Sequence, residues 1–265
     1  MTELPAAFYV ADGDGWQSTV ITTGPWDAGF QHAGPPAALI GRAIEGLIHD
    51  TDLRVARISF NLRRPVPVAL LRIEAELQPG GRRVRYARAR LLDSEGRLLI
   101  EAEALLMRSA PVTMPARPAA LPAPPPPPSQ CEAFQFPFFI TEQGYHTGME
   151  LRLAEGEFGS GQATAWFRMR RPLIAGEEPS ALQRVLIAAD SGNGVSKYLD
   201  TLQIGFMNPD LIVALHRVPE GEWLALRAQT LPGLDGVGVA ESVICDLQGV
   251  VGHGQQTLMF EPHGE

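Results

Sequence analysis

Cysteine is nearly absent. Cys131 and Cys245 are the only two in 265 residues, they form no CxxC pair, and no histidine stands at zinc-finger spacing from them. A disulfide framework and a structural zinc site are therefore not indicated, and both read as ordinary thiols in a reducing compartment. Positive charge is short as well: 22 Lys and Arg face 30 Asp and Glu, for a formal net charge of -8. A general nucleic-acid binder needs a basic footprint to neutralise phosphates, so that class is disfavoured. No uncharged apolar run is long enough to cross a bilayer, and the start, MTELPAAFYVADGDGW, carries Glu3 and no basic leader. P-loop and dinucleotide fingerprints are missing, and EFGSGQ around Ser160 lacks the glycine spacing of a serine-hydrolase elbow. What these absences leave is a cytoplasmic protein acting on a small molecule, with no nucleic acid, membrane or metal among its expected partners.

What is present is enough apolar material for a sizeable core, 45% of the chain, in one large domain or two small ones. The clearest break is PVTMPARPAALPAPPPPPSQ, Pro111 to Gln130. Proline lacks the N–H that helices and sheets need and favours an extended spacer, a better fit to mid-chain than a ligand for a proline-binding groove. The expected division is 1–110, a linker at 111–130, and 131–265.

The two halves look alike. At an offset of 153, Arg64 matches Arg217, Pro79 matches Pro232, Gly80 matches Gly233, Asp93 matches Asp246 and Gly96 matches Gly249. Pro-Gly and Asp-x-x-Gly are turn formers, so these matches set turns at equal intervals, with strands between them. LRIEAEL (Leu71 to Leu77) alternates apolar and charged residues with the period of a half-buried strand. Further strands are expected at 55–63, 83–92, 97–107, 162–170, 210–217, 222–230, 237–246 and 250–260.

Each half also carries one helix ahead of its strands. GPPAALIGRAIEGLI has a broad apolar face and two prolines suited to a first turn; SALQRVLIAAD starts on Ser180 as N-cap and runs Leu182, Val185, Leu186 and Ala189 along one stripe. Asp190 falls at the edge of that stripe, about 80 degrees round from Leu182. One helix and several antiparallel strands, twice, is an α+β arrangement of two sheets that each wrap a helix.

The segments QHAGPPAALIGRAIE, FNLRRPVPV, LQPGGRRV, AADSGNGVS, FMNPDLIVALHRVPEGEWLAL and GVVGHGQQTLMF resemble the type II acyl-CoA thioesterases and their thioesterase-like relatives, over about Gly24 to Phe260. The resemblance implies a double-hotdog fold, an acyl-CoA substrate, no cofactor, and a homo-oligomer packed through sheet edges. In that family a helix aspartate, a hydroxyl residue opening a strand and a glutamine on the last strand hold the water that attacks the thioester carbonyl. The matching positions are Asp190, Asn208 and Gln256, with Gln255 a competitor for the last and Asn208 a departure from the family's hydroxyl.

Thioester hydrolysis needs a positioned water, a proton acceptor and donors aimed at the developing oxyanion. Asp190 is the expected base, with an Asx turn before Gly192 as its simpler reading; Asn208 and Gln256 each offer an acceptor and a donor, though NPD also reads as a turn. Substrate contacts are expected from His32, from Gly34 at the start of the first helix, from Asn193, and from Arg82 and Arg83 in the arginine-rich GGRRVRYARAR, which reads equally well as a solvated strand. Two alternatives stand beside hydrolysis: a non-catalytic acyl-thioester binder, kept open by Asn208, and a hotdog hydratase or dehydratase. The latter is disfavoured because no histidine follows Asp190 on its helix.

Overall fold

The computed structural model describes residues 3–50, 52–114, 121–197 and 204–262. The first half supplies strands β1 (Tyr9–Asp12) and β2 (Gly15–Ser18), helix α1 (Gly34–Glu45), and strands β3 (Leu53–Leu62), β4 (Leu70–Leu77), β5 (Val84–Asp93) and β6 (Leu98–Arg108). The second supplies β7 (Glu132–Phe134), the helical turn α2 (Tyr145–Gly148), β8 (Met149–Gly156), β9 (Gln162–Met169), helix α3 (Ala181–Ala189) and the short α4 (Gly192–Val195). It ends in β10 (Ile204–Met207), β11 (Asp210–Leu215), β12 (Leu224–Pro232), β13 (Val237–Asp246) and β14 (Gly249–Pro262). Every strand expected from alternation and turn spacing is present, and β1, β2, β7, β8 and β10 are additional.

The strands form one sheet in the order β1-β2-β4-β5-β6-β3-β11-β14-β13-β12-β9-β8-β7, with β10 pairing on β14. The halves meet where β3 runs antiparallel to β11, Asn61 opposite Asp210 and Arg57 opposite Ala214. Helix α1 packs on β4 and β5, α3 packs on β9, β11 and β12, and the two helices pack on each other. This is the α+β double hotdog, with one continuous core drawn from both halves.

The helix pair is antiparallel and very close. A Cβ on Gly34 would lie 2.2 Å from the Ile187 carbonyl oxygen, and one on Gly41 would lie 2.4 Å from Leu186 Cδ1, so glycine is required for the backbones to approach. At the other end, Ser180 caps α3 by accepting from the Gln183 N–H at 3.1 Å and donates to Glu45 Oε2 at 2.7 Å. The N-cap read from the sequence therefore also ties the start of α3 to the end of α1.

Two chain segments bind across the halves. The N-terminal residues Phe8 and Tyr9 are fully buried, and their N–H groups donate to Pro172 O and Leu173 O in the second half. The described end of the proline segment lies against β9 of the second half, where Trp166 Nε1 donates to Pro126 O at 2.7 Å.

The arginine-rich strand is explained by its register. Arg88 and Arg90 on β5 face outward, Arg90 3.1 Å from Glu74 of β4 and Arg88 3.6 Å from Glu103 of β6. Arg82 and Arg83 precede β5, and Arg83 O accepts from the Arg108 N–H at the end of the sheet where β3 begins.

Both aspartates of the turn repeat, Asp93 and Asp246, are buried. Asp246 is fully shielded, and its carboxylate accepts from both terminal nitrogens of Arg217 and from the Glu220 and Gln248 N–H groups. Burial alone would push this carboxyl up, but Arg217 and the two backbone donors together hold it below the ordinary aspartate range. A depressed folded-state value means stability that is present above the unfolded value and lost as pH falls through the folded one. Asp246→Asn is expected to cost about 2–4 kcal/mol in urea unfolding at pH 7, and its deficit against wild type to narrow below about pH 4.

Candidate active site

The site forms where the beginning of α1 meets the end of α3. Asp190 is the C-cap of α3, its side chain 7% exposed, with Gln256 Nε2 donating to its backbone oxygen at 3.0 Å and to its Oδ1 at 3.1 Å. Asn208, just before β11, donates from Nδ2 to the same Oδ1 at 2.9 Å and to Asp210 O at 3.2 Å. The Ala33 N–H supplies another hydrogen bond to the carboxyl. The three polar residues matched through the resemblance thus lie together, and the turn contact expected of Asn208 coexists with its contact to Asp190.

Of the two glycines after Asp190, Gly192 is there for clearance. A Cβ on Gly192 would meet Ser242 Oγ at 2.7 Å and Gln256 Oε1 at 3.0 Å, so α4 could not lie this close to the sheet behind it with a side chain there. The Asn193 N–H then donates to Gln256 Oε1 at 3.0 Å. Gln256 is almost wholly buried while its neighbour Gln255 faces solvent, so the period of the strand decides between them.

The amides hold the carboxylate itself. Gln256 spends both polar ends on Asp190 and Asn193, and Asn208 spends its NH2 on Asp190 and Asp210, which leaves Asn208 Oδ1 as the acceptor available to a water. Oδ2 of Asp190 lies 3.3 Å from His32 Nδ1. The Gly34 N–H donates to that same Nδ1 at 3.1 Å, so a neutral His32 carries its proton on Nε2. The His32 ring stacks on Tyr145 with centroids 3.9 Å apart and planes 2° from parallel, and Tyr145 Oη donates to Ile187 O at 2.9 Å.

Burial dominates the titration of both groups. It pushes Asp190 up, against the opposing effects of His32, Asn208, the Ala33 N–H and Gln256, and it pulls His32 down against the field of Asp190. Both shifts favour the neutral forms. A carboxyl raised from its ordinary range beside a neutral imidazole is suited to proton acceptance near neutral pH.

Asp190, His32, Asn193, Asn208 and Gln256 line one pocket of about 160 Å³. Asn193 is anchored through Oδ1, which accepts from Thr230 Oγ1 at 2.9 Å, while its buried Nδ2 has no partner. Gly34 contributes close helix packing and a donor to His32. With the Ala33 and Gly34 N–H groups engaged and Pro35 and Pro36 lacking theirs, the start of α1 presents no free backbone donor of the kind expected for an oxyanion. Arg82 and Arg83 do not line the pocket.

Sequence reasoning passed over the aromatic wall of the pocket, Trp26, Phe136, Phe138, Phe139 and Phe206. A signal existed: four of the 11 phenylalanines stand within Phe134 to Phe139. It also passed over Tyr145, whose contact with His32 no local pattern announces.

Comparison with known proteins identifies the family and the fold. Residues 22–109 match the model of the acyl-CoA thioesterase N-terminal domain, and residues 115–260 match that of the acyl-CoA thioesterase C-terminal domain. The chain belongs to the acyl-CoA thioesterase family. Solved structures similar to it include a thioesterase II candidate from Thermobifida fusca YX, 17% identical with a TM-score of 0.74 over 98% of this chain and 96% of that one. A hot dog fold protein of unknown function from Alicyclobacillus acidocaldarius is 15% identical, with a TM-score of 0.75 over 97% of this chain and 96% of that one. The acyl-CoA thioesterase II TesB2 of Mycobacterium marinum is 14% identical, with a TM-score of 0.65 over 96% and 95%. A search of curated proteins gave no match. Among the described residues, no helix is long and apolar enough to cross a membrane.

A carboxyl shielded in this way carries a stability cost. Because the folded-state pKa of Asp190 is raised, the native state loses stability as pH rises from the unfolded value, about 3.9, through the folded one. Asp190→Asn is therefore expected to raise the melting temperature at pH 7, by on the order of 2–4 °C for each kcal/mol relieved. The gain should vanish below about pH 3.9 in a thermal scan, where aspartate is protonated in both states.

Proposed function

We propose that this protein hydrolyses an acyl-CoA thioester to the free acid and CoA, with Asp190 as general base. The observation that supports this reading is a buried carboxyl with one oxygen fixed by two side-chain amides and the other beside His32, in a pocket of a thioesterase-family chain.

A water bridging Asp190 Oδ2 and Asn208 Oδ1 attacks the carbonyl carbon while Oδ2 takes one of its protons, and the carbonyl π electrons move to oxygen. The oxyanion accepts from His32 Nε2–H, and the proton on Oδ2 is shared with His32 Nδ1. Collapse restores the carbonyl and breaks the C–S bond; the thiolate leaves with the proton returned from Asp190. Donors aimed at developing charge lower the barrier most where water is excluded. The role proposed for the α1 terminus thus passes to the His32 side chain.

One observation favours a second reading. The sequence offers no histidine near Asp190 on its helix, yet the fold brings His32 from the other half against it, and a carboxyl–imidazole pair is also what a hydratase or dehydratase of acyl thioesters uses. Thiol release monitored against acyl-CoA, and loss of enoyl-thioester absorbance monitored in parallel, separates the two activities.

In the thiol-release assay Asp190→Ala is expected to lower kcat/KM by about 10²–10⁴-fold. Gln256→Ala and Asn208→Ala should cost less, since each leaves the carboxyl in place. The acid limb of the pH–kcat/KM profile should fall above the ordinary aspartate range because the base must be ionised. An Asp190→Ala protein as active as wild type removes the mechanism, and a wild type that binds acyl-CoA without turnover of any kind makes the protein a binding module.

A further inference from the structure

Part of the pocket's lining is made of aromatic rings that touch one another. Trp26 stacks on Phe138 with centroids 5.6 Å apart and planes 12° from parallel, and stands edge-on to Phe206 at 5.3 Å and 90°. Phe138 in turn lies against Phe136 at 5.2 Å and Phe139 at 5.9 Å. The wall is held from behind as well: Lys197, the only lysine in the chain, sits 5.5 Å from the centre of the Phe138 ring and 5.9 Å from that of Phe158. Rings locked by several mutual contacts and a cation keep their positions better than a lone side chain would.

Size and chemistry then restrict what enters. The pocket holds about 160 Å³, close to the roughly 150 Å³ apolar cavity that accommodates one benzene. A sixteen-carbon acyl chain has more than twice as many carbons as that ring. Among the described residues no lysine or arginine lines the pocket, and the one carboxyl there is Asp190, so an acyl group ending in a carboxylate meets no counter-charge from them. Aromatic walls favour a flat ring over an alkyl group of equal size, through edge-to-face and offset-stacked contacts with the ring quadrupole.

We infer that the acyl group this site takes is a small uncharged aryl or arylacetyl unit, with Trp26 and Phe138 forming the roof that excludes long chains. The inference rests on the thioester-hydrolase reading for its reaction, and on the pocket alone for its substrate class.

The test compares phenylacetyl-CoA, hexanoyl-CoA and palmitoyl-CoA as substrates of the full chain, with non-hydrolysable thioether analogues of the three measured by calorimetry on wild type and Asp190→Asn. Phenylacetyl-CoA is expected to exceed hexanoyl-CoA in kcat/KM by about five-fold, the scale of one or two aromatic contacts, and palmitoyl-CoA by more. Trp26 is half exposed, so Trp26→Ala should fold, open the roof, and raise palmitoyl-CoA relative to phenylacetyl-CoA by about ten-fold. Equal or better use of palmitoyl-CoA by wild type, or a Trp26→Ala protein with unchanged chain-length preference, overturns the assignment while leaving the hydrolase reading intact. If no thioester is cleaved, that reading fails on its own and the analogues decide: tighter binding of the phenylacetyl analogue supports the pocket assignment, and tighter palmitoyl binding or none overturns it.

Discussion

The backbone contact between Gly34 and Ile187 governs the site. Only glycine permits the start of α1 to come within reach of the last turn of α3, since a Cβ there would lie 2.2 Å from a carbonyl oxygen. That approach delivers the Ala33 N–H and the His32 ring, both from the first half, to a carboxyl in the second. Neither half alone assembles this arrangement. The antiparallel helix pair, closed at its other end by Ser180 and Glu45, is what makes two similar units into one site.

Burying a carboxylate is unfavourable unless its oxygens are hydrogen-bonded, and the surroundings of Asp190 are arranged to a definite degree. Three donors hold the charge, yet burial still wins and the carboxyl stays above its usual range. Asp246 shows the other balance, with a guanidinium and two backbone N–H groups overcoming the same penalty. The difference is between amides and a cation as partners. Amides leave a base that can gain a proton; an arginine makes a carboxylate that stays ionised and serves structure.

Much of the architecture was legible because period-two alternation and repeated turns are local signals. Val84–Asp93 and Val237–Asp246 are strands of equal length, each closed by the aspartate that the repeat singled out. The short β1 was not legible: Phe8 and Tyr9 are buried, and their N–H groups find their acceptors on Pro172 and Leu173, far along the chain. β8 carries readable alternation in Met149, Leu151 and Leu153, but it lies among aromatic and glycine-rich segments that mask its edges. At the site, Asp190, Asn208 and Gln256 were reachable only through resemblance, since a turn aspartate, an Asn-Pro turn and a strand glutamine each have a commonplace explanation. His32 was recognised as a possible contact, but its partner stands on the other half, and a sequence offers no distance between them. Arginine density in β5 misled because cross-strand pairing with glutamates is a sufficient reason for it.

The division of labour within the pocket follows from these origins. The polar residues proposed to act on the thioester sit on or beside regular elements: Asp190 at the end of a helix, Gln256 on a central strand, and Asn208 in the two-residue link between β10 and β11. The aromatic wall comes mostly from the irregular stretch Phe136 to Phe139 and from Trp26, in a loop ahead of α1, with Phe206 added from the short edge-paired β10. Helix and strand positions fix a proton acceptor to within a fraction of an ångström, whereas loop positions can be exchanged without disturbing the ladder of the sheet. A fold built this way can keep its chemistry and vary what it accepts, because the residues that select the acyl group are not those that hold the helices together.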